Sequence, residues 1–369
     1  MENPAHIVTF VILSGFVLAV IFGAVSQKTD FCTMGAVADI VNMNDWGRMR
    51  MWLLAIAVAV AGANALDLAG LVDLSRSAYP GARWPWLAYL SGGFLFGVGM
   101  TLGSGCGSRS VVRLGGGNLK SLVVLLFLAL SAQMTLRGVF APAREWVSTI
   151  AAQFDQGQDL SWLLAVPLGI GKRSVQPWIA TAVTLGLTAF VLKDRDFRAD
   201  YERLFAGAVI GLVIVGGWYV TGHLGFVAED PETLQEAWLG TRTARPESFT
   251  FIGPAANTLE LLQFWADKSA RMTFGVAVVL GTLAGSFAYA ALKRRFRWEG
   301  FRSGADTRNH ILGGILMGFG GVTAMGCTIG QGVTGVSTLA LGSILTLFSI
   351  IAGAAVTMKL QYRRMLRET

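Results

Sequence analysis

The chain has 369 residues, 53% of them hydrophobic and only 14% charged, and its mean hydropathy is +0.54. Soluble domains carry about a quarter charged residues, so the composition excludes an ordinary water-soluble domain and points to a membrane protein. The net charge of +7 does not argue for nucleic acid, because the basic residues sit at the ends of apolar segments, where they act as topology signals.

A crossing needs about 20 apolar residues, and the pattern predicts nine spans, over about 6–26, 49–67, 86–105, 119–138, 177–192, 204–224, 272–292, 311–327 and 338–359. The first apolar run, Ile7 to Ser26, lacks a basic leader and reads as a permanent span. It is followed by "KTDFCTMGA", which carries Cys32. Trp84 and Trp86 read as interface anchors of the third span. That span ends in "GSGCGSRSVVRLGGGN", Gly103 to Asn118, where the chain is expected to reverse through an open glycine-rich stretch until a helix starts near Asn118. His223 closes the sixth span, and a long outer region, acidic at its start, runs from Phe226 to Lys268. From Ile311 to Met358 there is no charged residue. That run is too long for one crossing, so the glycine-rich "TAMGCTIGQGVTG" must divide it, with the next helix starting near Ser337. The expected spans hold no buried Asp, Glu or Lys. Placing the C-terminus inside and the N-terminus outside puts most Lys and Arg on inner segments, as the positive-inside rule asks.

Sliding "GGFLFGVGMTLGSGC" (Gly92–Cys106) along the chain onto "GGILMGFGGVTAMGC" (Gly313–Cys327) superposes four glycines, a leucine and the terminal Gly-Cys pair. The copies are the third and eighth spans, an odd number apart, and therefore run in opposite directions. The expected fold is an all-α integral membrane protein of about nine helices in two inverted repeats with glycine-rich re-entrant loops. It is read as a single domain over 1–369: repeat 1 about 1–140, connector about 141–200, repeat 2 about 201–369. Inverted repeats of interrupted helices are a transporter architecture, with the solute site at the repeat interface.

Cys32, Cys106 and Cys327 are the only cysteines. None lies in a CxxC or Cys/His spacing, which argues against a disulfide scaffold or a zinc site, and three scattered histidines suggest no metal or haem. A lone cysteine is usually a small buried hydrophobe. Under the topology above, however, all three thiols could lie along one path, and a neutral S–H can donate to a soft anion and release it. His223 could meet an anion at the outer mouth or simply face solvent. Gln331 could line the second loop or hold it together. Arg109 and Arg113 read as anchors at the inner surface. Glycine-rich corners alone would also serve close helix packing.

The combination "FC" with a following Gly (Phe31, Cys32, Gly35), "GCGSR…RLGGGN" (Gly105–Asn118) and "GCTIGQGVTG" (Gly326–Gly335) resembles the YeeE/YedE sulfur-transport family of bacterial inner-membrane proteins. The resemblance covers nearly the whole chain. It implies thiosulfate uptake through an hourglass-shaped protein, with Cys327 receiving the ion from outside, Cys106 holding it at the constriction and Cys32 passing it inward by S–H hydrogen bonds. His223 and Gln331 are carried as further candidate substrate contacts. The tail after Met358 is short and basic, so a separate TusA-like cytoplasmic sulfur carrier is the expected partner, beside thiosulfate and the lipid bilayer. No cofactor, metal, catalytic residue or nucleic acid is expected. Two other readings stay open: a transporter of a selenium-containing or other sulfur anion, and a membrane thiol oxidoreductase. The oxidoreductase would want a resolving cysteine pair and a flavin or quinone site.

Overall fold

The computed structural model describes residues 4–230, 234–267 and 270–368; Lys268, at the end of the expected outer region, lies outside them. In lipid every backbone group must find its partner within its own segment, and the apolar runs settle as helices. The first half comprises α1 (Pro4–Thr29), α2 (Thr33–Met43), α3 (Gly47–Leu68), α4 (Trp86–Leu102), α5 (Gly107–Gly115) and α6 (Leu119–Arg137). Then come α7 (Ala141–Thr149), α8 (Leu160–Leu168), α9 (Lys172–Leu192) and α10 (Arg195–Ala199). The remainder holds α11 (Tyr201–Tyr219), α12 (Ile252–Gln263), α13 (Phe274–Leu292), α14 (Gly304–Thr323) and α15 (Leu341–Glu368). Two short antiparallel ribbons, Arg83–Trp84 with Ala152–Gln153 and Phe226–Val227 with Ala237–Trp238, complete the described residues.

Eight helical stretches, those built on α1, α3, α4, α6, α9, α11, α13 and α15, are long and apolar enough to cross a membrane. The chain is an all-α, multi-pass membrane protein. The expected span over 311–327 corresponds to α14, which opens on the charged GADTRNH and stands outside those eight.

Three local expectations change. The stretch after Cys106 is not an open reversal. α5 begins directly at Gly107, and α6 follows after Asn118, whose side chain accepts the Ser121 N–H at 3.0 Å. After Cys327 the backbone winds into a wide-turn helix over Gly330–Gly335, and α15 starts at Leu341, four residues beyond Ser337. Buried charge is also present, within the expected fourth span at Lys120 and between spans at Asp39, against the expectation that the spans hold no buried Asp, Glu or Lys. Lys120 on α6 lies 2.9 Å from Asp306, and Asp39 on α2 takes a two-pronged contact from Arg48 at 2.5 and 2.6 Å.

The main helix pairs are α1 on α13, α11 on α3, α4 on α15, α14 on α6, and α4 on α14. Glycine sets the α4–α14 separation. A Cβ on Gly92 would lie 2.7 Å from the Gly320 carbonyl, and one on Gly320 would lie 2.6 Å from the Gly92 carbonyl. Gly99 and Gly313 meet in the same reciprocal way, at 2.8 and 2.7 Å from each other's carbonyl. Small residues let membrane helices approach to backbone contact, which supplies the dispersion attraction that hydrophobic burial cannot supply in lipid.

The outer region does more than cap the bundle. Its stretch Ser248–Ile252 enters the interior, where Phe249 and Phe251 are buried against Phe22 at ring separations of 5.6 and 5.5 Å. Polar groups there are answered: Ser248 donates to the Ile214 carbonyl at 2.7 Å, and Thr334 donates to the Phe249 carbonyl at 2.7 Å.

Candidate functional site

Each cysteine follows a corner of one design. Two residues ahead of it the backbone turns left-handed, at Asp30 (φ +53°), Ser104 (φ +57°) and Met325 (φ +59°). The next N–H then reaches back five residues: Phe31 to the Ser26 carbonyl at 3.3 Å, Gly105 to Met100 at 2.9 Å, and Gly326 to Gly321 at 2.7 Å. This six-to-one bond closes a helix end that would otherwise leave carbonyls unpaired. The cysteine carbonyl then accepts the N–H four residues on, from Ala36, Ser110 and Gln331 respectively, so the thiol stands where new helical structure begins.

At Cys32 and Cys327 the sulfur accepts an N–H from its own new turn, Gly35 and Gly330, each at 3.3 Å. Both glycines sit at close approaches. A Cβ on Gly35 would meet the Arg48 guanidinium at 2.5 Å, and one on Gly330 would run into Thr250. Cys106 lies beside the Arg109 N–H without such a cap and pairs with Ser108 Oγ at 3.3 Å.

All three thiols are free and buried. The structure brings Cys32 and Cys106 within side-chain reach of each other, and Cys327 is close enough to Cys106 for one charge to act on the other. Thr328, the neighbour of Cys327, lies beside Cys106. Its hydroxyl lies toward the Cys106 sulfur; among the described residues neither it, nor the hydroxyls of Ser26 and Thr33, nor the indole N–H of Trp52 makes a hydrogen bond of ordinary geometry, and all of them are buried. Most buried polar groups are paired; here Thr33 and Thr328 directly follow Cys32 and Cys327 in the chain. No sequence motif marks these donors, and Ser26, Thr33 and Thr328 look like ordinary small residues of membrane helices.

Gln331 is buried, and both ends of its amide are used. Nε2 donates to the Ala324 carbonyl at 2.7 Å, and Oε1 accepts from Ser343 at 2.5 Å. It ties the end of the Cys327 corner to α15. His223 is exposed at the end of α11. Its ring stacks on Tyr219 at 5.2 Å, and Nδ1 lies 3.2 Å from the Leu71 carbonyl; these contacts are not with a cysteine. Arg109 reaches Asp30 at 2.5 Å and acts on Cys32 through space, closer to the thiols than a surface anchor. Arg113 donates to the Ser104 carbonyl at 2.8 Å.

Away from the basic helix ends lies a cavity of about 450 Å³ bounded in part by Gln133, Arg242, Glu247, Thr250 and Glu260. Thr250 joins it to the Gly330 turn that caps Cys327. The Phe251 N–H also faces the Cys327 sulfur. Glu260 is held by Arg242 at 2.9 and 3.1 Å. Glu247 has no such cation, and burial pushes its carboxyl up to about 8. Tyr79, which feels both Glu247 and Cys327, is also raised by burial.

A multi-pass helical bundle that buries three free thiols is an integral membrane protein. The chain matches the sulphur-transport family over residues 28–356 and belongs to it. It is similar to the thiosulfate transporter TsuA of Escherichia coli, with 28% identity over 331 residues covering 87% of this chain and 86% of the relative. It is also similar to TsuA of Spirochaeta thermophila, with 26% identity over 346 residues covering 93% and 96%.

Proposed function

We propose that this protein carries thiosulfate across the bacterial inner membrane into the cytoplasm. The anion is handed from Cys327 to Cys106 to Cys32 by S–H hydrogen bonds, with the N-terminus periplasmic and the C-terminus cytoplasmic. The observation that carries this reading is the thrice-repeated corner that gathers three thiols beside buried hydroxyls. At Cys32 and Cys327 the sulfur lone pairs are engaged by backbone N–H groups, which leaves the S–H proton free to donate. A soft, neutral donor can hold a sulfur anion and let it go, whereas a fixed cation at the constriction would trap it.

The packing supports two inverted repeats. If α1, α3, α4 and α6 correspond to α11, α13, α14 and α15, then α1 on α13 is mirrored by α11 on α3, and α4 on α15 by α14 on α6. The glycine contacts follow the same exchange: 92 meets 320 and 99 meets 313, the reciprocity of a two-fold interface. Moving a dianion against an inside-negative potential costs about 2.3 kcal/mol per charge per 100 mV. Capture of the sulfur by a TusA-like carrier inside would offset that cost. Gln331 serves by bracing the Cys327 corner, and His223 stands at the outer mouth.

The test is radiolabelled thiosulfate uptake into liposomes with and without a pH gradient. Uptake is expected in the parent and lost in Cys106→Ala, with little left in Cys106→Ser. Undiminished uptake by Cys106→Ala would sink the relay. A persulfide that persists on one cysteine after turnover would favour enzyme chemistry.

A further inference from the structure

Four arginines line a cavity of about 440 Å³ at the basic end of the bundle: Arg109 and Arg113 from α5, Arg295 and Arg297 from the segment after α13. One acid lines it, Glu299, and that carboxylate is already taken by Asn118 at 2.5 Å and Lys120 at 3.7 Å. Arg109 is answered by Asp30, while Arg113 is answered only by a neutral carbonyl. Arg295 and Arg297 have no acidic partner among the described residues. The end of α5 also points here, but a helix terminus offers only about half an elementary charge, too little to balance the remaining cations.

The two unpaired arginines do not hang from a loose loop. Their backbone is fastened to the α5–α6 corner by Arg297 N–H to the Gly116 carbonyl at 3.1 Å, Glu299 N–H to Gly117 at 3.2 Å and Leu119 N–H to Glu299 at 2.9 Å. Gly117 allows this by adopting φ +97°, and a Cβ there would lie 2.5 Å from the Arg297 carbonyl. The cavity also connects to the thiols through one residue, since Arg109 lines it, lies beside Cys106 with its N–H and acts on Cys32 with its charge.

We propose that this cavity is a second oxyanion site, separate from the thiols, that binds a tetrahedral oxyanion. That chemistry is offered by a free sulfur oxyanion and by the phosphate of an anionic lipid headgroup. Planar guanidinium forks match such oxygens in pairs, and an open, solvated position keeps the hold weak enough for release. The identity of the passing anion rests on the transport reading above; the existence of the site does not.

Sulfate is the probe, titrated calorimetrically into the full-length Cys106→Ala protein in nanodiscs of zwitterionic lipid and in nanodiscs containing phosphatidylglycerol. Sulfate is expected to bind in zwitterionic lipid, more weakly as salt is raised. The Arg295→Gln/Arg297→Gln pair should weaken it about tenfold or more through lost charge-assisted bonds. The matching double Lys variant should retain most of the binding, and the Gln pair should unfold at the parent temperature because no protein partner is lost. Equal affinity in both lipids identifies the free anion as the occupant. Loss of affinity with phosphatidylglycerol, removed by the Gln pair, identifies the lipid phosphate. Sulfate binding that is absent in the parent, or untouched by the Gln pair, overturns the site. Failure of thiosulfate uptake would instead strike the transport reading and leave this titration standing.

Discussion

Ser104 and Met325 share one backbone state, φ +57° and +59°, each two residues ahead of a buried cysteine in equivalent places of the two similar stretches. A left-handed L-residue costs about 1–2 kcal/mol, while glycine in the same place loses only about 0.5–1 kcal/mol in chain entropy. Ser104→Gly is therefore expected to raise stability slightly, by about 0.5 kcal/mol. Thermal unfolding in detergent measures it, and a clear loss would show that the Ser104 side chain contributes more than the strain it carries.

The α4–α14 contact makes the opposite prediction. Gly99→Val would drive a branched side chain into the Gly313 carbonyl, for which no rotamer offers relief. The expected cost is about 1–3 kcal/mol or more, read as a lower unfolding temperature and loss of the monodisperse peak in size-exclusion chromatography. Gly186, where a Cβ meets nothing within 4 Å, should accept Ala without penalty.

Thr328→Val separates folding from function. The hydroxyl is fully buried, with the Cys106 sulfur beside it and no hydrogen bond of ordinary geometry, so its isosteric removal should change stability by no more than about 1 kcal/mol. Thiosulfate uptake should fall by about tenfold if this hydroxyl meets the anion, by loss of one bond to a charged group. Full uptake in a stable variant would exclude Thr328 from the path.

Glu247 gives the protein a pH response. With its carboxyl raised to about 8 it is neutral at pH 7, and it ionises above pH 8 in the wall of a cavity near Cys327. The new negative charge opposes a dianion, so uptake should decline by about fivefold between pH 7 and 9. Glu247→Gln should flatten that limb. The sign for stability agrees: the folded state keeps a proton that the unfolded state loses near its ordinary value of 4.5. The contribution is whole below that value and is lost as pH rises through about 8. A decline that survives in the Gln variant would assign it to another group.

The glycine-and-cysteine pattern made two of the three corners readable before any coordinates, because both use Gly at the position just ahead of the thiol. The Cys32 corner escaped notice because Asp30 and Phe31 share no residue type with Ser104–Gly105 or Met325–Gly326; only the dihedrals reveal the kinship. The four glycines between Cys106 and Asn118 favour an open loop, yet the seven residues "SRSVVRL" among them are enough for about two helical turns once Cys106 starts the winding. The inward course of Ser248–Ile252 was hidden for another reason. Its alternation of Ser248, Phe249, Thr250 and Phe251 has no helical period and follows Pro246. The partners that bury it lie far away in sequence.

The sulfur caps at Gly35 and Gly330 carry a practical consequence for thiol reagents. A bulky adduct cannot sit on a sulfur that is enclosed and also fastens the first turn of its helix, so modification requires the local fold to part beforehand. The speed of labelling at Cys32 and Cys327 should then act as a clock for spontaneous loosening of these helix starts. A bound solute that slows the clock at both sites together would be reporting on breathing of the whole interior, beyond simple shielding of one atom.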